Sequence, residues 1–540
     1  MIRTSLLVAY LATLFSRPVW AQHAHGRSAE QLGRVVFPIS CNPEAQQRFS
    51  RAMALLHSFW WEQGQAAFQA VADADSTCAM AYWGMAINAW GNPFVGGPGG
   101  NAGKGDPLRR GAAAAERASA LSARTARERG FIAASAALYR GFDSIPNARR
   151  LQAYSDTLAR VYSDFPTDTE VAIYYALSLV ETASKTDTTF ARQKQAAAIL
   201  NPLFKRFPEH PGLAHYIIHA NDSPRLATLG LDAARRYAEI APSAPHAQHM
   251  PSHIFVRLGL WDETIAANKR AFEAGLADAR AHNQPVAPER LHALDYMVYA
   301  FLQEGRDSAA RSTIDTAQKL LTTATSDMLI ANYNRVAMEA RLPLERSDWA
   351  AAARLPVRAA ELTIGAALAH FARGIGAARL GDTTQSRLEI AALAGIEADL
   401  TRRGDTEWAR VVAIKRQAVI AWAELAAGDT AQALRDAKAA ADLEDVTEKQ
   451  PVTPAELLPA RELEADMLLA TGRYAQARAA YETTLTREPR RARSLFGSAR
   501  AAELSGDTAG ARRRYDEYLA QMQSGDGDRA EIAQARAAVR

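Results

Sequence analysis

The sequence predicts an all-α protein, built as an array of stacked antiparallel helix pairs. Equivalent residues recur 34 positions apart near the C-terminal end, as with Gly472 and Gly506 or Tyr481 and Tyr515. A period of this length equals one helix–turn–helix unit. No segment shows the strict alternation of apolar and polar residues that is typical of a half-buried strand. With 540 residues, the chain is too long for one compact core but suits an array that grows by adding units.

The turns of this array are marked by glycine. A glycine stands between two helical patterns at Gly259, Gly305, Gly381, Gly428, Gly472 and Gly506. Together with small residues where helices touch, aromatics on the second helix and a closing Pro489, this pattern resembles the tetratricopeptide repeat. The resemblance covers most of residues 44–522. It implies an α-solenoid of about nine to eleven hairpins.

A second resemblance is carried by four strings: CAMAYWG (78–84), HYIIHAND (215–222), HAQHMPSHIF (246–255) and LPARELEADMLL (458–469). Their combination is similar to a group of large exported bacterial tetratricopeptide-repeat proteins. That resemblance implies a binding or scaffolding role and supplies no catalytic residues. Ordinary tetratricopeptide scaffolds lack a histidine block of the kind described below.

We divide the chain by composition and pattern. The predicted parts are a signal peptide (1–21), an N-terminal segment (22–43), a first array (44–274) with a Gly-rich loop (91–106) and His-rich repeats (210–261), an insertion (275–290), a middle array (291–442), a linker (443–456), a C-terminal repeat pair (457–522) and a tail (523–540). The Gly-rich loop lacks the glycine and Ser/Thr positions of a phosphate-binding loop.

The start of the chain predicts export to the periplasm or full secretion. Arg3 precedes an apolar run from Leu6 to Phe15, and Val19-Trp20-Ala21 suits signal peptidase. An uncleaved membrane anchor is the alternative, although the run is about half the length that spans a bilayer. No later segment predicts a membrane span. In an exported chain Cys41 and Cys78 are expected to lie close enough to bridge, with two free buried thiols as the alternative.

Charge gives no reason to expect a nucleic-acid partner. The formal net charge is +4, and removal of Arg3 and Arg17 with the leader leaves +2. No block of like charge suggests a surface for phosphates.

Histidines are concentrated in one part of the chain. Eight of the twelve fall between residues 210 and 292. His215 and His249 are 34 residues apart, and so are His219 and His253, so equal phase on successive units places these four imidazoles on one side of the array. His215 and His219 are also one helical turn apart, and Asp222 continues that face.

Two further helices extend the histidine block. Pro251 either starts a helix near Met250 or kinks it there, and both alternatives keep His249 and His253 near the register of His215 and His219. Counting back from the glycine turns places His292 in phase with His246 and Asp295 in phase with His249. Tyr299 then corresponds to His253. The candidates to orient an anionic substrate are Tyr216, Tyr296, Tyr299, Arg257 and Arg290.

Imidazole and carboxylate groups packed together predict a metal centre. The candidate ligands are His215, His219, His249, His253, His246, His292, Asp222 and Asp295. Charged imidazoles would repel one another, and neutral ones without partners would leave buried nitrogens unsatisfied. Zn, Fe, Mn or Cu suits these ligands, with one ion or two. A metal-dependent hydrolase or oxidase is one interpretation, and a periplasmic tetratricopeptide scaffold that binds a peptide or protein in its concave groove is the other.

The remaining histidines are expected to have ordinary roles. His57, beside Phe59, Trp60 and Trp61, and His370 are interpreted as packed core residues. His210 and His282 are interpreted as peripheral loop residues. The aromatic residues around His57 occupy packing positions that need no ligand.

Overall fold

The structure, a computed structural model, describes residues 30–95, 107–284, 289–321, 329–358 and 363–540. The predicted signal peptide, most of the Gly-rich loop and residues 285–288 of the predicted insertion lie outside these ranges. Within them every regular element is a helix and no strand occurs, which confirms the all-α prediction.

The described helices follow one another along the chain with short connections. They are α1 Pro43–His57, α2 Trp61–Ala74, α3 Ala79–Trp90, α4 Pro107–Ala120, α5 Ala126–Tyr139, α6 Asn147–Asp164, α7 Thr169–Glu181, α8 Ala191–Arg206, α9 Pro211–Asn221, α10 Ala227–Ile240, α11 Pro245–His249, α12 Pro251–Arg257, α13 Trp261–Ala281, α14 Glu289–Gln303, α15 Asp307–Leu321, α16 Leu329–Glu345, α17 Trp349–Ala353, α18 Thr363–Arg379, α19 Thr383–Arg402, α20 Thr406–Ala426, α21 Thr430–Asp445, α22 Ala460–Ala470, α23 Tyr474–Arg487, α24 Ala492–Leu504, α25 Thr508–Gln521 and α26 Ala530–Ala538.

Consecutive helices pack as antiparallel hairpins and form a tetratricopeptide-type solenoid. The six predicted turn glycines all have positive φ, from +66° at Gly259 to +92° at Gly428. Such backbone conformations favour glycine, which explains the pattern. If α11 and α12 count as one broken helix, α1 to α25 form twelve pairs in the described ranges, more than the nine to eleven predicted. The additional units are joined by turns without the glycine signature, such as residues 58–60 and 182–190.

The N-terminal segment packs onto the first helices. Phe37 is buried, and its ring contacts those of Phe49, Trp83 and Phe131 at centroid distances of 5.3, 5.8 and 5.1 Å. Just beyond it, Cys41 forms a disulfide with Cys78, with Cα atoms 5.3 Å apart. The predicted proximity of the two cysteines is thereby confirmed.

The segments predicted as a linker (443–456) and a tail (523–540) are both packed against the rest of the fold. Residues 446–459, here called the strap, run without regular helix from α21 to α22. The strap lies against α16, where Arg341 donates hydrogen bonds to the carbonyls of Ala455 and Glu456. The predicted tail contains α26, and Arg529 forms a buried salt bridge with Asp307. Both segments therefore contact parts of the chain more than 100 residues away in sequence.

Candidate metal centre

Six imidazoles meet on the inner side of α9, α11, α12 and α14. The broken helix α11/α12 is central to this arrangement, because Met250 joins its halves with helical φ and ψ of −53° and −36° while Pro251 begins the second half. The sequence allowed either a helix that starts near Met250 or a helix that is kinked there, and the structure has the kinked helix. It places His246 and His249 on one half and His253 on the other.

The first group consists of His215, His219 and His246. The Nε2 atom of His215 lies 3.1 Å from Nε2 of His219 and 3.2 Å from Nε2 of His246. One nitrogen from each ring lies within 4.8 Å of the others. The orientation of the His215 ring is fixed by a hydrogen bond on its other side, where Nδ1 lies 2.6 Å from the backbone oxygen of His57 at the end of α1. Three ring nitrogens therefore face one point.

The second group consists of His249, His253 and His292, again with one nitrogen each within 4.8 Å. Nε2 of His249 and Nε2 of His253 are 3.1 Å apart. Their Nδ1 atoms point outward, that of His249 to Asn268 Oδ1 at 2.6 Å and that of His253 to Asp222 Oδ2 at 2.9 Å. The ring of His292 lies 4.6 Å from that of His249, measured between centroids.

The two groups are neighbours. Ring centroids of His219 and His253 are 6.1 Å apart, and those of His246 and His249 are 6.0 Å apart. A cavity with about 570 Å³ of space free of protein atoms adjoins both groups. Among the described residues, its lining comprises Asn92, Phe94, His219, His246, His249, Met250, His253, Ala271, Arg290, His292, Ala293, Ile330, Pro451 and Val452. No acidic residue is among them.

Burial keeps all six imidazoles uncharged at neutral pH. Removal from water lowers the pKa of His215 to about 3 and that of His292 to about 3. The same cause, reinforced by neighbouring histidines, lowers the pKa values of His219, His246 and His249 well below the ordinary range. The pKa of His253 is lowered by burial too, against the opposing effect of Asp222. Neutral imidazoles are the form that binds metals.

Asp222 lies behind the imidazoles rather than among them. Its Oδ2 accepts from His253, and its Oδ1 accepts from Arg257 Nε at 2.9 Å. Lys449 Nζ of the strap is 3.7 Å from Oδ2. Although burial opposes ionisation, these cations hold the pKa of Asp222 well below its ordinary value. A carboxylate in this position orients a ligating imidazole and is not itself needed as a ligand.

Asp295 does not join the imidazoles. It is fully buried and pairs with Arg341, with 2.7 Å between Asp295 Oδ1 and Arg341 Nε. The prediction that Asp295 lies beside the imidazoles, in phase with His249, is therefore wrong. Its carboxylate binds Arg341, which lies on α16. Tyr299 also lies elsewhere, with its hydroxyl 3.2 Å from Glu488. Tyr296 is the tyrosine beside the site, with ring centroids 5.0 Å from His249 and 4.9 Å from His292.

A third cluster lies next to the first group. His57 and His210 both hydrogen bond the carboxylate of Glu170 at 3.0 Å, and Nδ1 of His57 is 3.1 Å from the hydroxyl of Tyr216. His57 is a buried core residue, as the sequence indicated. His210 is buried as well, so its prediction as peripheral is wrong: it directly precedes α9, where it faces α7. Gly212 lets α9 approach His57 closely, since a Cβ there would meet Nδ1 at 2.4 Å.

Two further histidines of the described ranges, His370 and His282, belong to neither imidazole group. His370 is partly exposed and pairs with Glu389, so it is not the packed core residue predicted. His282 is exposed and ends α13, as expected of a peripheral residue.

Two aromatic residues, Phe59 and Phe94, contact the imidazoles although no sequence pattern predicts this. Phe59 has a φ of +50°, and its ring lies 4.4 Å from that of His215 and 5.3 Å from that of His246. Phe94 stacks on His219 with centroids 3.9 Å apart. The positive φ of Phe59, which bulky residues rarely adopt, turns its side chain toward the imidazoles. Local sequence patterns carry no signal for such contacts across more than 100 residues.

Comparison with known proteins assigns no family to the chain. No family model matches the chain, and no curated protein matches it in sequence. Among solved structures, yeast Tom70 is 12% identical, with a TM-score of 0.33, and the match covers 92% of this chain and 95% of Tom70. Naa15/Naa10 bound to HypK-THB is 11% identical with a TM-score of 0.23, covering 92% of this chain and 73% of that one. At these scores the likeness carries no inference about fold or function.

A helix that spans a membrane must be both long and apolar. None of the described helices combines the length and apolar character needed to cross a bilayer.

Proposed function

We propose that this chain is a metal-dependent protein that holds two transition-metal ions side by side, one in each imidazole group. The observation that carries the proposal is the contact between Nε2 of His249 and Nε2 of His253, at 3.1 Å. Both nitrogens carry lone pairs for the reasons that follow, and two lone pairs at this distance need a cation between them.

Hydrogen bonds fix the tautomers of the second group. Asn268 donates its amide NH₂ to the carbonyl of Thr264 at 2.8 Å, so its Oδ1 faces His249 and must accept from Nδ1–H. Asp222 is a carboxylate and likewise accepts from Nδ1–H of His253. A neutral imidazole carries only one N–H, so Nε2 of both rings is an acceptor. Neither can donate to the other.

The first group has a similar conflict. The backbone oxygen of His57 can only accept, so Nδ1 of His215 donates and Nε2 of His215 is a lone pair. The Nε2 atoms of His219 and His246 both face that single lone pair. Donation from both rings would crowd two hydrogens onto one acceptor, whereas a metal ion would accept all three lone pairs.

The spacing fits a metal as well. With metal–nitrogen bonds of about 2.0–2.1 Å, ligands at tetrahedral angles lie about 3.3 Å apart. The observed separations of 3.1 and 3.2 Å are close to this value. Outward Nδ1–H bonds to a carboxylate, an amide oxygen and a backbone oxygen are the usual support of ligating histidines.

Two kinds of chemistry suit such a centre. A metal ion with three protein ligands keeps a position open for water, whose pKa it lowers, and this supports hydrolysis. Redox-active iron or copper would instead support oxidation. The cavity beside both groups gives a small substrate access, and Arg290 in its wall suits an anionic one.

Metal content of variants tests the proposal. The chain is produced without a His-tag, dialysed against Zn²⁺, Fe²⁺, Mn²⁺, Cu²⁺ or, without oxygen, Cu⁺, and analysed for bound metal. We expect two ions per chain in the wild type and one each in His215→Ala and His253→Ala, because each substitution removes one group. His282→Ala is the matched control and should keep two. A wild-type chain with native helicity that binds none of these metals would disprove the proposal.

A binding scaffold without metal is the second candidate. A cavity with about 780 Å³ of free space lies between the strap and the inner helices, and it presents cations such as Arg257 and Lys415 next to carboxylates such as Glu444 and Glu488. Mixed charge of this kind suits the ends and side chains of a peptide. Retention of a peptide by metal-free protein, together with no bound metal, would favour this function.

A further inference from the structure

We propose that the two ions are copper, and that the pair binds one dioxygen molecule between the two imidazole groups. This inference rests on the two-metal centre proposed above. It goes further by assigning the metal and the reactant from the charge of the ligands and of the cavity.

The ligands of both groups are uncharged. All six are neutral imidazoles, and among the described residues no carboxylate or thiolate lies within the two groups. At any given separation, two divalent ions repel four times as strongly as two monovalent ions, because the energy scales with the product of the charges. Sites for two divalent ions commonly offset this repulsion with carboxylate ligands. These groups lack such ligands, which favours a monovalent ion in the resting state.

The surroundings do not supply the missing negative charge. The carboxylate behind the site, Asp222, is already matched by Arg257 at 2.9 Å and Lys449 at 3.7 Å. Arg290 is the charged residue among the described residues that line the cavity. Asp222 therefore does not offset the charge of a second divalent ion.

Copper is the transition metal of the suitable set that is stable as a monovalent ion. Cu(I) accepts three nitrogen ligands, and imidazole is a ligand that suits copper. Phe59 and Phe94 pack against the rings of His215 and His219, and Met250 lines the cavity. Such apolar surroundings favour Cu(I), which is less strongly hydrated than Cu(II). Manganese and zinc offer no monovalent state in proteins, and iron is divalent or trivalent.

Dioxygen then supplies the anion. Each Cu(I) gives one electron, so dioxygen receives two and becomes peroxide, while its double bond becomes a single bond. Each copper, now Cu(II), forms new bonds to the peroxide oxygens between the groups. The total charge stays at +2, since two Cu(II) ions and one peroxide dianion replace two Cu(I) ions and a neutral molecule. No proton and no further reductant is required for this step.

The test uses the full chain without a His-tag, loaded with Cu(I) under anaerobic conditions. Bound copper is counted, and dioxygen is then admitted while its uptake, the near-ultraviolet and visible absorption, and the electron paramagnetic resonance are recorded. We expect two copper ions per chain, uptake of one dioxygen per copper pair, a new charge-transfer band and no resonance signal, because bridged Cu(II) ions couple their spins. His253→Ala should keep one copper and lose the stoichiometric uptake, and His282→Ala should behave as the wild type.

The outcomes separate this inference from the two-metal proposal. If the chain binds two zinc ions but no Cu(I), or binds two Cu(I) ions that take up no dioxygen, the copper–dioxygen inference is overturned and the two-metal centre stands. If uptake occurs but two separate Cu(II) signals appear, the ions do not share a ligand and the inference is also overturned. A chain that binds no metal at all would overturn both the copper–dioxygen inference and the two-metal proposal.

Discussion

Asp295 forms a two-point salt bridge with Arg341 in which both side chains are fully buried. Arg341 Nε lies 2.7 Å from Asp295 Oδ1, and a terminal guanidinium nitrogen lies 3.3 Å from Oδ2. The guanidinium also donates to Thr453 and to the carbonyl of Ala455, so it fastens the strap to the inner helices α14 and α16. The carboxylate therefore has a structural role.

Asp295→Asn is predicted to destabilise the protein without removing metal. Loss of one partner of a buried ion pair leaves a charge unpaired, which typically costs about 3–5 kcal/mol. Urea denaturation and metal analysis of the folded fraction measure the two effects separately. If the folded variant loses one metal equivalent while its unfolding free energy is unchanged, Asp295 is a ligand after all.

Asp222→Asn is predicted to weaken metal binding at the second group. The substitution removes the negative charge that fixes the tautomer of His253, and changes at such supporting positions typically cost 10–100-fold in affinity. Competition with a chromophoric chelator measures the affinity. Glu448→Gln is the matched control, because Glu448 also pairs with Arg257 but does not contact an imidazole. An equal loss of metal affinity in both variants would show that the effect comes from Arg257 and the strap and not from the tautomer of His253.

Part of this site could be predicted from the sequence. The spacing of 34 residues places His215 with His249 and His219 with His253 on one side of the array, because stacked units repeat their orientation. The division into two groups could not be predicted. It depends on the kink at Pro251, which turns His246 toward His215. Counting from the turn glycines misplaces Asp295, because such counting cannot show that Arg341, 46 residues away, binds its carboxylate.

The contributions of the strap and of Phe59 had no signal in the sequence. Glu448 reaches Arg257 from 191 residues away, and such contacts follow from how the array curves rather than from local periodicity. By contrast, the turn glycines were predictable because positive φ is a local requirement that few other residues meet. Fold class is thus encoded locally here, and the chemistry of the site is encoded by packing between distant units.

Removal of the disulfide is predicted to destabilise the N-terminal units. Cys41 and Cys78 are 37 residues apart in sequence, and closing a loop of this length stabilises the folded state by about 3–4 kcal/mol in the chain-entropy model. We expect Cys41→Ser/Cys78→Ser to lose about 2–4 kcal/mol in urea denaturation. A reducing agent should lower the stability of the wild type by a similar amount and leave the double variant unchanged. Metal content should not change, since neither cysteine contacts an imidazole group.

Glu181 is predicted to make the protein less stable in alkaline solution. It is the last residue of α7, where the helix dipole disfavours a negative charge, and burial raises the pKa of its carboxyl to about 8 from an ordinary value of 4.5. Between these two values the folded protein holds a proton that the unfolded chain releases. The free energy of unfolding therefore falls as the pH rises from about 4.5, and the loss is complete above about pH 8.

Glu181→Gln removes this titration and tests the argument. The variant should unfold like the wild type at pH 4 and should be more stable at pH 9. We expect a gain of about 1–3 kcal/mol, less than the full pKa shift would give, because the side chain is partly exposed to water and its charge is screened. Thermal melts at pH 4, 6, 7.5 and 9 provide the measurement. Glu273→Gln, at an exposed position on α13, is the control and should show no such trend. A gain that is equal at all four pH values would mean that the substitution acts through packing and not through the proton.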